Sequence, residues 1–152
     1  MEKLAYKLLE LISLSLGLQA NRLSGLFNNH TSFFRLNHYP TCPVPDLALG
    51  VGRHKDGGAL TILAQDDVGG LQVKRKTDGE WIQVRPTPHA YIVNVGDIIQ
   101  PLEELITEQN PAKYRAYNWG KFFSTRKRSN FKKLDVDNIQ IGDFKITEEP
   151  SF

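Results

Sequence analysis

The chain has 152 residues, 40% apolar and 24% charged, with a formal net charge of +2. That composition is ordinary for a globular domain with material for one core, and so small a net charge argues against nucleic-acid and anionic-membrane partners, which need a clustered basic surface. The single cysteine, Cys42 between Thr41 and Pro43, excludes an internal disulfide and fits a reducing, cytoplasmic compartment.

The first expected element is a helix over residues 2–16. Leu4, Leu8, Leu11 or Ile12, and Ser15 or Leu16 recur at helical spacing, Glu2, Lys3, Lys7 and Glu10 lie largely elsewhere, and Gly17 is a natural stop. The apolar run Leu8–Leu18 is too short to span a bilayer. Glu10 interrupts it and no small-residue cleavage site follows, which sets it apart from a secretory signal. A chain that opens at Met1 inside such a helix is expected to be a shortened product of a longer coding sequence. Asn29-His30-Thr31 matches the glycosylation sequon, a pattern short enough to arise by chance.

Aromatic content predicts a strand over Ser32–Tyr39, closed by Pro40. Alternation puts Arg35, Asn37 and Tyr39 on one face and Phe34, Leu36 and His38 on the other. Pro40, Pro43 and Pro45 make a stiff connector.

The stretch from Gly50 to Leu63 organises the chain. It sets His54 and Asp56 two residues apart where a loop enters a strand, so that both side chains share one face. An imidazole nitrogen and a carboxylate oxygen together suit a divalent first-row metal and supply two thirds of a 2-His-1-carboxylate facial triad. Gly50-Val51-Gly52 is no dinucleotide fingerprint, since Lys55 replaces the third glycine and a strand follows instead of a helix.

Further strands are expected at Ala59–Ala64, Leu71–Lys74, Trp81–Val84 and Ala90–Val95, separated by Gly69-Gly70, by the hairpin turn Thr77–Glu80 and by Pro86-Thr87-Pro88. Short strands at this spacing spell an all-β sandwich or jelly roll. Pro101 with Glu103 and Glu104 predicts a short helix that ends near Asn110-Pro111. Tyr114, Tyr117, Trp119, Phe122 and Phe123 suggest a second helical segment. Lys121, Arg126, Lys127, Arg128, Lys132 and Lys133 read as a solvated face and tail, with a nuclear-import or nucleic-acid patch as the sharper alternative.

Asn37-His38-Tyr39-Pro40, Leu47-Ala48-Leu49-Gly50, His54-Lys55-Asp56, Ala59-Leu60-Thr61-Ile62-Leu63, Gly69-Gly70-Leu71-Gln72-Val73, Val93-Asn94-Val95-Gly96-Asp97 and Asn110-Pro111-Ala112-Lys113-Tyr114-Arg115 together resemble the plant 2-oxoglutarate/Fe(II)-dependent dioxygenases over nearly the whole chain. The resemblance implies one shortened domain over residues 1–152: a helix at 2–16, a β core at 32–100 and a helical segment and tail at 101–152. The fold class is then mainly β with flanking helices, a partial double-stranded β-helix or jelly roll.

It also implies Fe(II) held by His54 and Asp56, 2-oxoglutarate beside Asn37 and Tyr39, and ascorbate as reductant. The reaction class would be decarboxylation of 2-oxoglutarate to succinate and CO2, coupled to oxidation of a small organic metabolite of unidentified structure. In the resembled family a strand with a second metal-binding histidine and an Arg-x-Ser that grips the cosubstrate carboxylate follow Asn-Val-Gly-Asp; here Gly96-Asp97-Ile98-Ile99-Gln100 runs straight into Pro101-Leu102. Impaired activity is therefore expected, together with self-association through strand edges left without a neighbour. The alternative is a catalytically silent, truncated isoform acting as a binding or regulatory protein. His89 and Arg35 are the residues weighed as substitutes for the missing histidine and arginine, and Arg22-Leu23-Ser24 is a chance match to Arg-x-Ser.

Overall fold

The computed structural model describes residues 1–48, 50–96, 102–118, 120–124 and 141–146, and the chain divides into two compact units, Met1–His54 and Lys55–Phe152. The first begins with helix α1, Glu2–Ser15, as the spacing predicts. Gly17 ends it at φ +74°. The Gly17 N–H donates to the Leu14 carbonyl and the Leu18 N–H to that of Ser13, both at 3.0 Å, which satisfies carbonyls that the last turn would otherwise leave unpaired.

Leu9 and Ser13, one turn apart, are the buried residues of α1. Ser13 is fully enclosed; its hydroxyl donates to the Leu9 carbonyl at 2.9 Å and accepts the Leu23 N–H at 3.2 Å. Leu23 is itself buried and leads into a 3-10 turn at Ser24–Phe27, so one hydroxyl fastens the returning chain to the helix. Ser13→Ala should cost about 1–3 kcal/mol, because it removes the acceptor of the buried Leu23 N–H. Urea unfolding of the variant measures this, and an unchanged midpoint would contradict it.

The strand expected at 32–39 does not form. Residues 30–42 adopt neither helix nor ladder, and Phe33, Phe34 and Leu36 are 74%, 82% and 85% exposed. Alternation and aromatic content describe a segment suited to a sheet, but a strand exists only through a paired neighbour. Among the described residues, pairing in the expected β core begins at Leu60.

The second unit holds four short strands: β1 Leu60–Leu63, β2 Gln72–Lys74, β3 Trp81–Gln83 and β4 Ile92–Val95. They lie within a residue or two of the expected positions. β1 pairs antiparallel with β4, Leu60 opposite Val95 and Thr61 opposite Asn94, and the β2–β3 hairpin is nested between them in the sequence. The hairpin closes through Gly79 at φ +76°, with the Arg75 N–H on the Glu80 carbonyl at 2.8 Å. The Arg75 guanidinium also meets the Asp78 and Glu80 carboxylates. That guanidinium first, and then the Glu80 N–H, holds the Asp78 carboxyl below its ordinary range.

A 3-10 turn at Glu103–Leu105 stands where the first C-terminal helix was expected; Pro101 lies outside the described residues. Among the described residues of the second helical segment, those at 120–124 are helical. Residues 113–115 pair instead with 144–146: the Arg115 N–H donates to Phe144 at 2.8 Å and the Ile146 N–H to Lys113 at 2.9 Å, which commits backbone groups that a helix would need. Phe122 is buried and clusters with Tyr117 and Phe144, whose rings lie 4.2 Å apart. The basic residues from Arg126 to Lys133 and the Gln100–Pro101 join lie outside the described residues. Among those described, no helix is long and apolar enough to cross a membrane.

Candidate metal centre

His54 closes the first unit. Its ring Nδ1 lies 2.8 Å from the Gly52 carbonyl. A carbonyl only accepts, so Nδ1 carries the hydrogen and the neutral ring has its lone pair on Nε2. A backbone carbonyl on the ring nitrogen that does not face the metal fixes the tautomer of metal-binding histidines in the same manner.

Asp56 belongs to the second unit and is half-buried. Its Oδ2 accepts a hydrogen bond from Asn94 Nδ2 at 2.7 Å. Two residues on, the Gly96 N–H donates to the Ala59 carbonyl at 2.9 Å. A Cβ placed on Gly96 would fall 2.1 Å from the Gly58 carbonyl oxygen and 2.8 Å from that of Asp56. The backbone that carries Asp56 therefore lies directly against the end of β4, in a space that only glycine leaves open.

Asn94 is the residue that the sequence did not single out. It is 38 positions from Asp56, and only the β1–β4 register brings the two together. A polar amide inside the otherwise apolar Ile92-Val93-Asn94-Val95 was the available signal.

The other candidates are placed as follows. Asn37 and Tyr39 lie in the exposed segment without a ladder, and the Tyr39 ring packs close to Gly50, whose added Cβ would sit 3.0 Å from it. Arg35 occupies the same exposed segment. Ser24 of Arg22-Leu23-Ser24 donates its hydroxyl to the Asn21 carbonyl at 2.9 Å. His89 has φ +60°, in a turn closed by the Ala90 N–H on the Thr87 carbonyl at 3.2 Å, a position that usually falls to Gly or Asn.

The donor types of His54 and Asp56 fit two positions of a divalent first-row metal. Among the described residues no group of three His, Cys, Asp or Glu side chains gathers to hold one.

The model of the 2OG-Fe(II) oxygenase superfamily matches residues 30–112, more than half of the chain and all of the segment that carries His54, Asp56 and Asn94. The chain belongs to this superfamily. Gibberellin 20 oxidase 2 of Arabidopsis thaliana is 48% identical over 102 residues, which take in 67% of this chain and 26% of that protein. Protein DMR6-LIKE OXYGENASE 2 of the same plant is 35% identical over 160 residues, covering 79% of this chain and 45% of that one. The chain thus spans only about a quarter to a half of these relatives. In the second match, 79% of 152 residues is about 120, so about forty of the 160 positions face gaps in this superfamily member. A crystal structure of JOX2 in complex with 2OG, Fe and JA aligns at a TM-score of 0.70 and 26% identity, over 95% of this chain and 53% of that one.

Proposed function

We propose that this superfamily member is an oxidoreductase by descent that takes Fe(II) and 2-oxoglutarate and acts on a small organic molecule, with activity impaired by the direct join of Gln100 to Pro101. The observation that carries the reading is the pair of candidate donors, His54 and Asp56, within the family-matched segment, each held by a hydrogen bond of the kind that orients a metal ligand. Bound iron would supply the oxidising chemistry. The chain's own share is to hold the metal through His54 and Asp56 and to line the cosubstrate with Asn37 and Tyr39. The nested β1–β4 and β2–β3 pairs and the likeness to JOX2 support a partial jelly roll as the scaffold, and the free, exposed Cys42 fits a cytoplasmic setting.

A second reading, a catalytically silent binding or regulatory protein with a weak metal site, rests on the roughly forty positions lost relative to one relative. Both readings predict that metal binding depends on the two donors and is weak, because each lost ligand returns a coordination position to water. Co(II) titration followed by visible absorption should give affinity that falls on His54→Ala and Asp56→Ala. Equal affinity in the double variant would overturn the assignment. Turnover of 2-oxoglutarate then separates the two readings.

A further inference from the structure

We infer that Asn94 is a positioning residue for metal binding, an amide whose task is to set the rotation of the Asp56 carboxylate; the inference rests on the reading of Asp56 as a metal donor. Nδ2 reaches Oδ2 at 2.7 Å, a short contact for a neutral donor that reflects the charge on the acceptor. A hydrogen bond to one oxygen fixes the carboxylate plane, and with it the direction in which the group presents itself. Partners of this kind set the orientation and basicity of a ligand without touching the metal.

The local sequence supports the assignment. Asn is disfavoured in strands, yet it stands in the four-residue β4 between Val93 and Val95, opposite the β-branched Thr61. Glycine follows two residues later, where a side chain would strike the Asp56 and Gly58 carbonyls. Two residues poorly suited to a strand thus meet at the one end of β4 that touches the Asp56 loop. Departures from local preference of this sort concentrate at functional sites. The amide and the close backbone approach meet the same loop, and of the two only the amide acts on the carboxylate itself.

The test is Co(II) titration of the full chain, read by visible absorption, with the ladder followed by circular dichroism. Asn94→Ala removes the amide. Asn94→Thr removes it while installing a strong strand former, so the second variant carries the test should the first fail to fold. Both should weaken Co(II) affinity about 10–100-fold and alter the Co(II) absorption bands, whereas Thr61→Val, across the ladder, should leave both unchanged. Asn94→Thr that binds as tightly as the parent, with Asp56→Ala still losing affinity, overturns the positioning role and leaves the metal reading standing. Loss of affinity in Thr61→Val equal to that in Asn94→Thr would reduce Asn94 to a ladder residue. Co(II) affinity indifferent to Asp56→Ala would overturn the metal reading and this inference with it.

Discussion

Gly96→Ala is expected to destabilise the chain by about 1–3 kcal/mol, the range for forcing atoms into packed space. Replacing a glycine with alanine ordinarily stabilises by about 0.4–1 kcal/mol, through the lost freedom of the unfolded chain. Here the contact outweighs that gain. The new methyl would lie 2.1 Å from the Gly58 carbonyl oxygen, and neither partner is the flexible end of a side chain, so backbone must move. Movement would stretch the 2.9 Å bond from the Gly96 N–H to Ala59 at the end of a ladder only four residues long. A lowered midpoint in urea or thermal unfolding, with weaker Co(II) binding, is the expected outcome. A midpoint equal to or above that of the parent would mean that the Asp56–Gly58 backbone does not rest on β4.

Turnover of 2-oxoglutarate by the chain as it stands is expected to be absent, or lower by at least about 10²-fold than in a version with a strand pair restored after Gln100. Turnover needs the cosubstrate held on the metal and its far carboxylate neutralised, and a bidentate arginine contact is the usual way to hold such a group. The sequence carries no histidine after His89, and its Arg22-Leu23-Ser24 match spends the serine hydroxyl on Asn21. Misplacement of a reacting group by about 1 Å can cost on the order of 10²-fold in rate, and a loosely held metal compounds that loss. Succinate formed from labelled 2-oxoglutarate with Fe(II) and ascorbate measures both chains. Comparable rates would contradict the expectation and direct attention to Arg35 and His89.

What the sequence disclosed follows the range of the forces concerned. Helix α1 was legible to within a residue because its period and the stop at Gly17 are local, and β1 to β4 because glycine and proline turns bracket them. The segment at 32–39 misled because alternation records fitness for a sheet and not the presence of a neighbour. Residues 113–115 misled because their pairing with 144–146 lies some thirty positions away and outweighs local helical preference. The site divides along the same line. His54 and Asp56 are candidate donors by their spacing of two, whereas the reach of Asn94 to Asp56 depends on the register of two strands that are not consecutive, which a lone polar residue in 92–95 does not specify.

The nesting of β2–β3 between β1 and β4 has an evolutionary consequence. The loop bearing Asp56 and the strand end that supports it are joined by their own ladder, so the excursion from Ala64 to Tyr91 is topologically a detachable insert. The hairpin within it answers to its own register, β2 on β3, and not to the Asp56–Asn94 contact. Selection on the Asp56–Asn94 contact should act jointly on two islands, 56–60 and 94–96, which ought to change together across relatives.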